Sequence, residues 1–176
     1  MKSEFDNTPA RIAQIRSMDI SNGEGVGCAI FWGFCPIHCK NCFNSELWNP
    51  DVGDIYTQEH EDKIIELMKP DYINRLSILG GEPFTYRNYE PILKLVKRVK
   101  ETYPDKKIWM YSGQLFEKLD KTKWHEVLKL IDVLVDGPYI DEEKNYKLKW
   151  CGSENQRVID IEDTYELGCI KHHKDK

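Results

Sequence analysis

The chain has 176 residues, of which 40% are hydrophobic, 31% charged and 11% aromatic. That supports one real core, excludes wholesale disorder, and falls short of the roughly 250 residues of a closed eight-stranded α/β barrel. With 25 Lys and Arg against 30 Asp and Glu, the net charge of −5 excludes the basic footprint of a general nucleic-acid binder.

In chain order, residues 1–18 show no clear periodicity, and the opening MKSEFDNTPARIAQ lacks the apolar run of a secretory signal. Asn22-Gly23-Glu24-Gly25-Val26-Gly27 is a glycine-rich turn that leads into Cys28–Trp32, a short apolar run read as a buried strand. Gly33 to Asp54 is rich in Cys, Asn and Pro and predicts a long loop, a feature that usually carries function. Thr57 is placed to cap a helix running to about Lys69, with Ile64, Ile65 and Met68 on its apolar face and Pro70 ending it.

Leu76–Leu79 predicts a strand stopped by Gly80-Gly81. Asn88 to about Tyr103 predicts the clearest helix, with Ile92, Leu95, Val96 and Val99 on one face. Ile108–Tyr111 is the next strand, followed by short helical stretches near 114–119 and 122–130, a strand at Val133–Val135, and a last strand over Val158–Ile161. The longest apolar runs, Cys28–Trp32 and Val133–Val135, are far below the ~20 residues a bilayer crossing needs. The expectation is a cytoplasmic protein with no membrane contact, in whose reducing compartment six cysteines point to metal or catalysis rather than disulfides.

Strands alternating with helices predict βαβ units around a mostly parallel sheet. One domain is expected over 1–176, with its core at about 19–161 and a flexible tail over 162–176. In such sheets chemistry sits at the C-terminal ends of the strands. On that rule the Cys loop, Gly80-Gly81-Glu82-Pro83, Ser112-Gly113 and Asp136-Gly137 share one rim, because each follows a strand.

Cys35-Pro36-Ile37-His38-Cys39-Lys40-Asn41-Cys42 is the sharpest chemical signal. The three thiols have the spacing of one helix face, of a partial zinc site, and of an iron–sulfur cluster loop. Gly33, Pro36, Asn41, Asn44 and Pro50 oppose a helix, and Cys28, Cys151 and Cys169 supply no second close pair for a closed zinc site. The cluster reading ranks first, zinc second and an apolar stripe last. Three thiolates on a cubane leave one iron without a protein ligand, and an open position is the mark of a catalytic metal centre.

This C-x3-C-x2-C loop after the first clear strand resembles the radical S-adenosylmethionine (SAM) superfamily. The resemblance implies a partial, open β/α barrel of about five to six mostly parallel strands. It implies that Cys35, Cys39 and Cys42 hold a [4Fe–4S] cluster whose open iron chelates SAM, and that one electron cleaves SAM to a 5′-deoxyadenosyl radical. The GGE-type segment Gly80-Gly81-Glu82 is implied to bind the methionine amino group. Two glycines let backbone carbonyls come close to a ligand, and a carboxylate suits an ammonium.

Many members carry an aromatic before the third Cys, where this chain has Asn41 and then Phe43. Adenine contacts are therefore assigned mainly to the backbone of Asn41, Cys42 and Phe43. Ser112 is read as a SAM contact or a turn cap, and Asp136 as a contact to the SAM ribose or carboxylate region or a solvated turn residue.

The chain most resembles the activating proteins of the anaerobic (class III) ribonucleoside-triphosphate reductase over about Asp19–Asp160. The matching segments are Asp19–Gly23, Cys42-Phe43-Asn44 with Trp48, Gly80–Pro83, Ile108-Trp109, Ser112-Gly113, Val135–Tyr139 and Gly152–Val158. The implied reaction installs a glycyl radical on the large reductase subunit, with a reduced flavodoxin-like protein as electron donor. The alternatives are an activase of another glycyl-radical enzyme of the pyruvate formate-lyase type, a radical SAM enzyme acting on a small molecule, and a non-catalytic metal-binding interaction module. Gly152–Val158 is expected to shape either the site or the partner surface. His38 reads as an exposed loop residue, Cys28 as buried and inert, and Cys169 with His172 and His173 as part of the loose tail.

Overall fold

The structure, a computed structural model, describes residues 7–174. The opening residues 1–6, part of the stretch read for an export signal, and residues 175–176 of the expected tail lie outside the described residues. Seven strands form one open sheet in the order β3-β1-β2-β4-β5-β6-β7. They are β1 Arg11–Asp19, β2 Gly27–Trp32, β3 Asp54–Ile55, β4 Arg75–Gly80, β5 Lys107–Tyr111, β6 Val133–Asp136 and β7 Arg157–Asp160. β2, β4, β5 and β6 run parallel, as the alternating pattern predicts. The edges differ from expectation: β1 is antiparallel to β2 and to β3, and β7 is antiparallel to β6.

Each correction has a local cause. β1 escapes periodicity because its pairing with β2 shifts register twice, between Ile12 and Gln14 and between Arg16 and Asp19, so its exposed and buried positions do not alternate cleanly. β7 returns antiparallel because residues 137–156 carry no crossover helix, only a 3-10 turn at Asp141–Glu143. Ile161, expected in the last strand, starts a helix instead.

Residues 162–174 are not a loose tail. A helix over Ile161–Leu167 covers part of them, its end marked by Gly168 in the left-handed conformation. The chain then returns along β7, where Asp160 N–H donates to the Lys171 carbonyl at 2.9 Å and His173 N–H to the Val158 carbonyl at 2.9 Å.

The helices are α1 Gln58–Leu67, α2 Tyr89–Thr102, α3 Phe116–Leu119, α4 His125–Leu128 and α5 Ile161–Leu167. α1 starts as predicted at Thr57, whose N–H donates to His60 Nδ1 at 3.2 Å. α2 buries Ile92, Leu95, Val96 and Val99, each contributing roughly 1.5–3 kcal/mol of transfer free energy. They pack on Cys28, Ile30, Leu76, Ile78, Ile108, Met110 and Leu134, the alternate positions of the parallel strands. The other face of the sheet presents Ala29, Phe31 and Leu79 beside Trp109, Val133, Val135 and Val158. Burial on both faces explains why these strands read as unbroken apolar runs. Among the described residues no helix is long and apolar enough to cross a membrane.

Candidate metal centre

The C-terminal ends of β2, β4, β5 and β6 converge on one cavity of about 150 Å3. Cys35, Cys39 and Cys42 line it together with Gly80, Gly81, Glu82, Ser112, Gly113 and Gly137. The four segments expected on one rim are therefore brought together there. The exits of β2 and β4 stay coupled beyond the sheet: Gly81 N–H donates to the Trp32 carbonyl and Glu82 N–H to the Phe34 carbonyl, both at 2.8 Å. This zipper sets Glu82 beside the start of the Cys loop.

The loop is not helical. Phe34, His38 and Asn41 take left-handed φ values of 72°, 53° and 55°, so the three thiols are not one face of a helix. Asn44 N–H lies 3.4 Å from Cys42 Sγ. The Ile37 and His38 amides favour the thiolate of Cys35, and the Tyr139 amide that of Cys39. Burial pushes the Cys35 thiol up to about 12 and also raises that of Cys39, while the amides oppose it. A bound cation reverses this balance and draws the thiols to thiolates.

All six cysteines are free. Among the described residues no three His, Cys, Asp or Glu side chains stand at metal-coordinating separation, so the three thiols share a cavity rather than converge on a point. The donor set fits an iron–sulfur cluster held by three thiolates: the cavity lining holds no His and no fourth Cys. Cys28 is fully buried in β2 and pushed up to about 12 by that burial, Cys169 is exposed, and Cys151 packs beside the Trp109 cluster. None of them completes a zinc site with the loop.

Glu82 is 1% exposed, and burial lifts its carboxyl to about 7. Oε1 accepts from Phe84 N–H at 3.0 Å and from Ser112 Oγ at 3.0 Å, and Oε2 accepts from Gly113 N–H at 2.9 Å. A carboxylate has about four acceptor positions, so one remains for a ligand. Ser112 acts as a turn cap as well, since its Oγ accepts Gln114 N–H at 2.9 Å.

The glycines serve the chain's own packing. A Cβ on Gly80, at φ +116°, would lie 2.5 Å from Trp32 N, and one on Gly81 would lie 2.2 Å from the Phe34 carbonyl oxygen. The close approach that the sequence suggested for a ligand is already made to β2 and the Cys loop.

Asp136, Asn41 and Phe43 are not among the residues that line this cavity. Asp136 is fully buried on the helix side of β6, where its carboxylate accepts from Phe116 N–H at 2.7 Å and from Arg157 Nε at 2.8 Å. It is neither a solvated turn residue nor a lining residue; Gly137 takes the rim position. Asn41 is exposed and donates from Nδ2 to Asp141 at 2.7 Å. The Phe43 ring, 63% exposed, faces Tyr139 at 5.8 Å. His38 is exposed, as expected, and stacks on Trp48.

Tyr111, Tyr139 and Gln156 also line the cavity and were not singled out from sequence. Tyr139 and Gln156 lie in segments that carried the resemblance, and Tyr111 follows from strand alternation with Trp109.

A family described as "4Fe-4S single cluster domain" matches residues 21–159. The chain is 43% identical over 147 residues to the anaerobic ribonucleoside-triphosphate reductase-activating protein of Vibrio cholerae serotype O1, covering 82% of this chain and 94% of that one. It is 37% identical to the protein of the same description from Escherichia coli strain K12, covering 82% and 95%. The Enterobacteria phage T4 protein of that description is 36% identical, covering 82% and 90%. The chain belongs to the family of anaerobic ribonucleoside-triphosphate reductase-activating proteins, with a 4Fe-4S single cluster domain.

Proposed function

We propose that this protein is a radical SAM activase that installs a glycyl radical on the large subunit of an anaerobic ribonucleoside-triphosphate reductase. The observation that carries the reading is that three thiols, and no fourth Cys or His, line a cavity at the C-terminal rim of a parallel sheet. Cys35, Cys39 and Cys42 hold a [4Fe–4S] cluster, which supplies one electron to break a sulfonium C–S bond of SAM.

The remaining work belongs to the chain. Backbone amides of residues 37, 38, 44 and 139 stabilise the thiolates. The free acceptor position of Glu82 takes the methionine ammonium, whose positive charge favours the ionised carboxylate. Ser112 fixes the Glu82 carboxylate, and the backbone of residues 41–43 borders the adenine. An open sheet, whose outermost strands β3 and β7 do not pair with each other, supports a partial barrel of the radical SAM type, whose open side would admit a protein loop. A small reduced flavodoxin-like protein supplies the electron, and the reaction takes place in the cytoplasm.

The test is electron paramagnetic resonance on the reduced protein mixed with SAM and the large reductase subunit. A glycyl doublet on the reductase is the expected result. An intact cluster that cleaves SAM yet leaves the reductase without a doublet overturns the assignment of substrate.

A further inference from the structure

Arg87 stands in the 3-10 turn Tyr86–Asn88 between β4 and α2 and is 7% exposed. Its guanidinium reaches both ends of the Cys loop. Nη2 donates to the Gly33 carbonyl at 3.1 Å, where the chain leaves β2. Nη1 donates to the Pro50 carbonyl at 2.9 Å, near the far end of the loop, and to Thr8 Oγ1 at 3.0 Å. All three acceptors are neutral oxygens, so the contact is a planar fork across the loop rather than an ion pair.

The same guanidinium lies over the buried Phe34 ring, 4.9 Å from its centre. Phe34 immediately precedes Cys35 and has the left-handed φ of 72°, a strained conformation for a residue with a Cβ. Such a conformation persists only where its surroundings over-determine it. Here Arg87 holds the residue before, covers the ring, and is joined by Glu82 N–H on the Phe34 carbonyl. The other ties of the loop to its surroundings include exposed side-chain pairs, Asn41 with Asp141 and Lys40 with Glu142, which solvent and salt weaken.

A buried guanidinium is costly and stays only where its hydrogen bonds offset the lost hydration. Arg87 makes its bonds to the two ends of the segment that carries the thiols. We propose that Arg87 is a positioning residue of the metal centre: it fastens the loop ends together, holds the turn at Phe34 that presents Cys35, and so preorganises the three thiols before a cluster arrives. The inference rests on the reading of Cys35, Cys39 and Cys42 as cluster ligands.

The experiment compares the full wild-type chain with Arg87→Ala, by hydrogen exchange before reconstitution and by iron uptake during it. The hydrogen-bonded loop amides of Cys42 and Leu47 are expected to exchange faster, on the order of tenfold, as loss of one hydrogen bond to a charged group implies. Amides of β4 and β5 keep their wild-type rates, and iron uptake falls. Ethylguanidinium restores both loop protection and iron uptake, whereas ethylammonium does not, because only a planar fork spans two carbonyls. If the variant fails to fold, nuclear magnetic resonance of the wild-type apoprotein decides: separate, slowly exchanging Arg87 Nη protons support the inference, and one averaged signal overturns it. Wild-type loop exchange and iron uptake in Arg87→Ala overturn it and leave the cysteine assignment standing. Faster exchange spread equally over β4 and β5, the mark of a general loss of stability, also overturns it, as does a looser loop with undiminished iron uptake. A wild-type chain that takes up no iron overturns the cysteine assignment and this inference together.

Discussion

The guanidinium of Arg75 lies 3.0 Å from the carboxylate of Asp19, with side chains only 1% and 3% exposed. Arg75 also donates to Ser77 Oγ at 2.6 Å and to the Glu24 carbonyl at 3.0 Å. Asp19 accepts the N–H groups of Ser21 and Asn22 at 3.2 and 2.9 Å. Burial alone would lift this carboxyl, but the Asn22 amide and Arg75 hold it below its ordinary range. The pair pins the glycine-rich turn to the start of β4, at the end of the sheet remote from the cysteines.

Removing one partner leaves the other charge buried and unpaired. Asp19→Ala is therefore expected to cost on the order of 3–5 kcal/mol. Urea unfolding of the apoprotein measures it, and an unchanged midpoint would show that the pair is dispensable.

Glu82 gives a pH signature. Its carboxyl titrates near 7 when folded, against an ordinary 4.5, because burial penalises the charge. Between those values the unfolded chain releases a proton that the folded chain keeps, so stability falls as pH rises and levels off above about 7. The full effect is at most about 3 kcal/mol. Glu82→Gln should flatten the slope in the apoprotein; a variant with the wild-type slope would place the titration elsewhere.

Much of this was legible in the sequence, for identifiable reasons. The parallel centre and α2 announce themselves because Ile92, Leu95, Val96 and Val99 keep helical spacing and the strands are buried on both faces. The rim follows from which segments succeed those strands. β1 was hidden by two register shifts, and the closing segment by pairing of residues 171–173 with β7 that no local pattern encodes. Asp136 misled because a carboxylate after a strand resembles a ligand contact, whereas its partner Arg157 lies 21 residues away in sequence.

Gly81 separates two reasons for glycine. Its missing Cβ leaves room for the Phe34 carbonyl, one residue before Cys35. Gly81→Ala is expected to displace the Cys loop and lower iron uptake as well as SAM binding. Full iron content with selective loss of SAM affinity would restore the ligand-contact explanation.

The cysteines divide by position. Replacing any one of Cys35, Cys39 or Cys42 by Ala should reduce release of 5′-deoxyadenosine from SAM to background. Cys169→Ser, a change at an exposed site away from the cavity, should leave it unaltered. Full turnover in any of the three loop variants would remove that residue from the ligand set.

The most direct test of a cubane gripped at three corners is Mössbauer spectroscopy of the 57Fe-reconstituted protein with and without SAM. Addition of SAM should change the signal of a single iron and leave the other three as they were. Four irons that stay equivalent and indifferent to SAM would contradict the account.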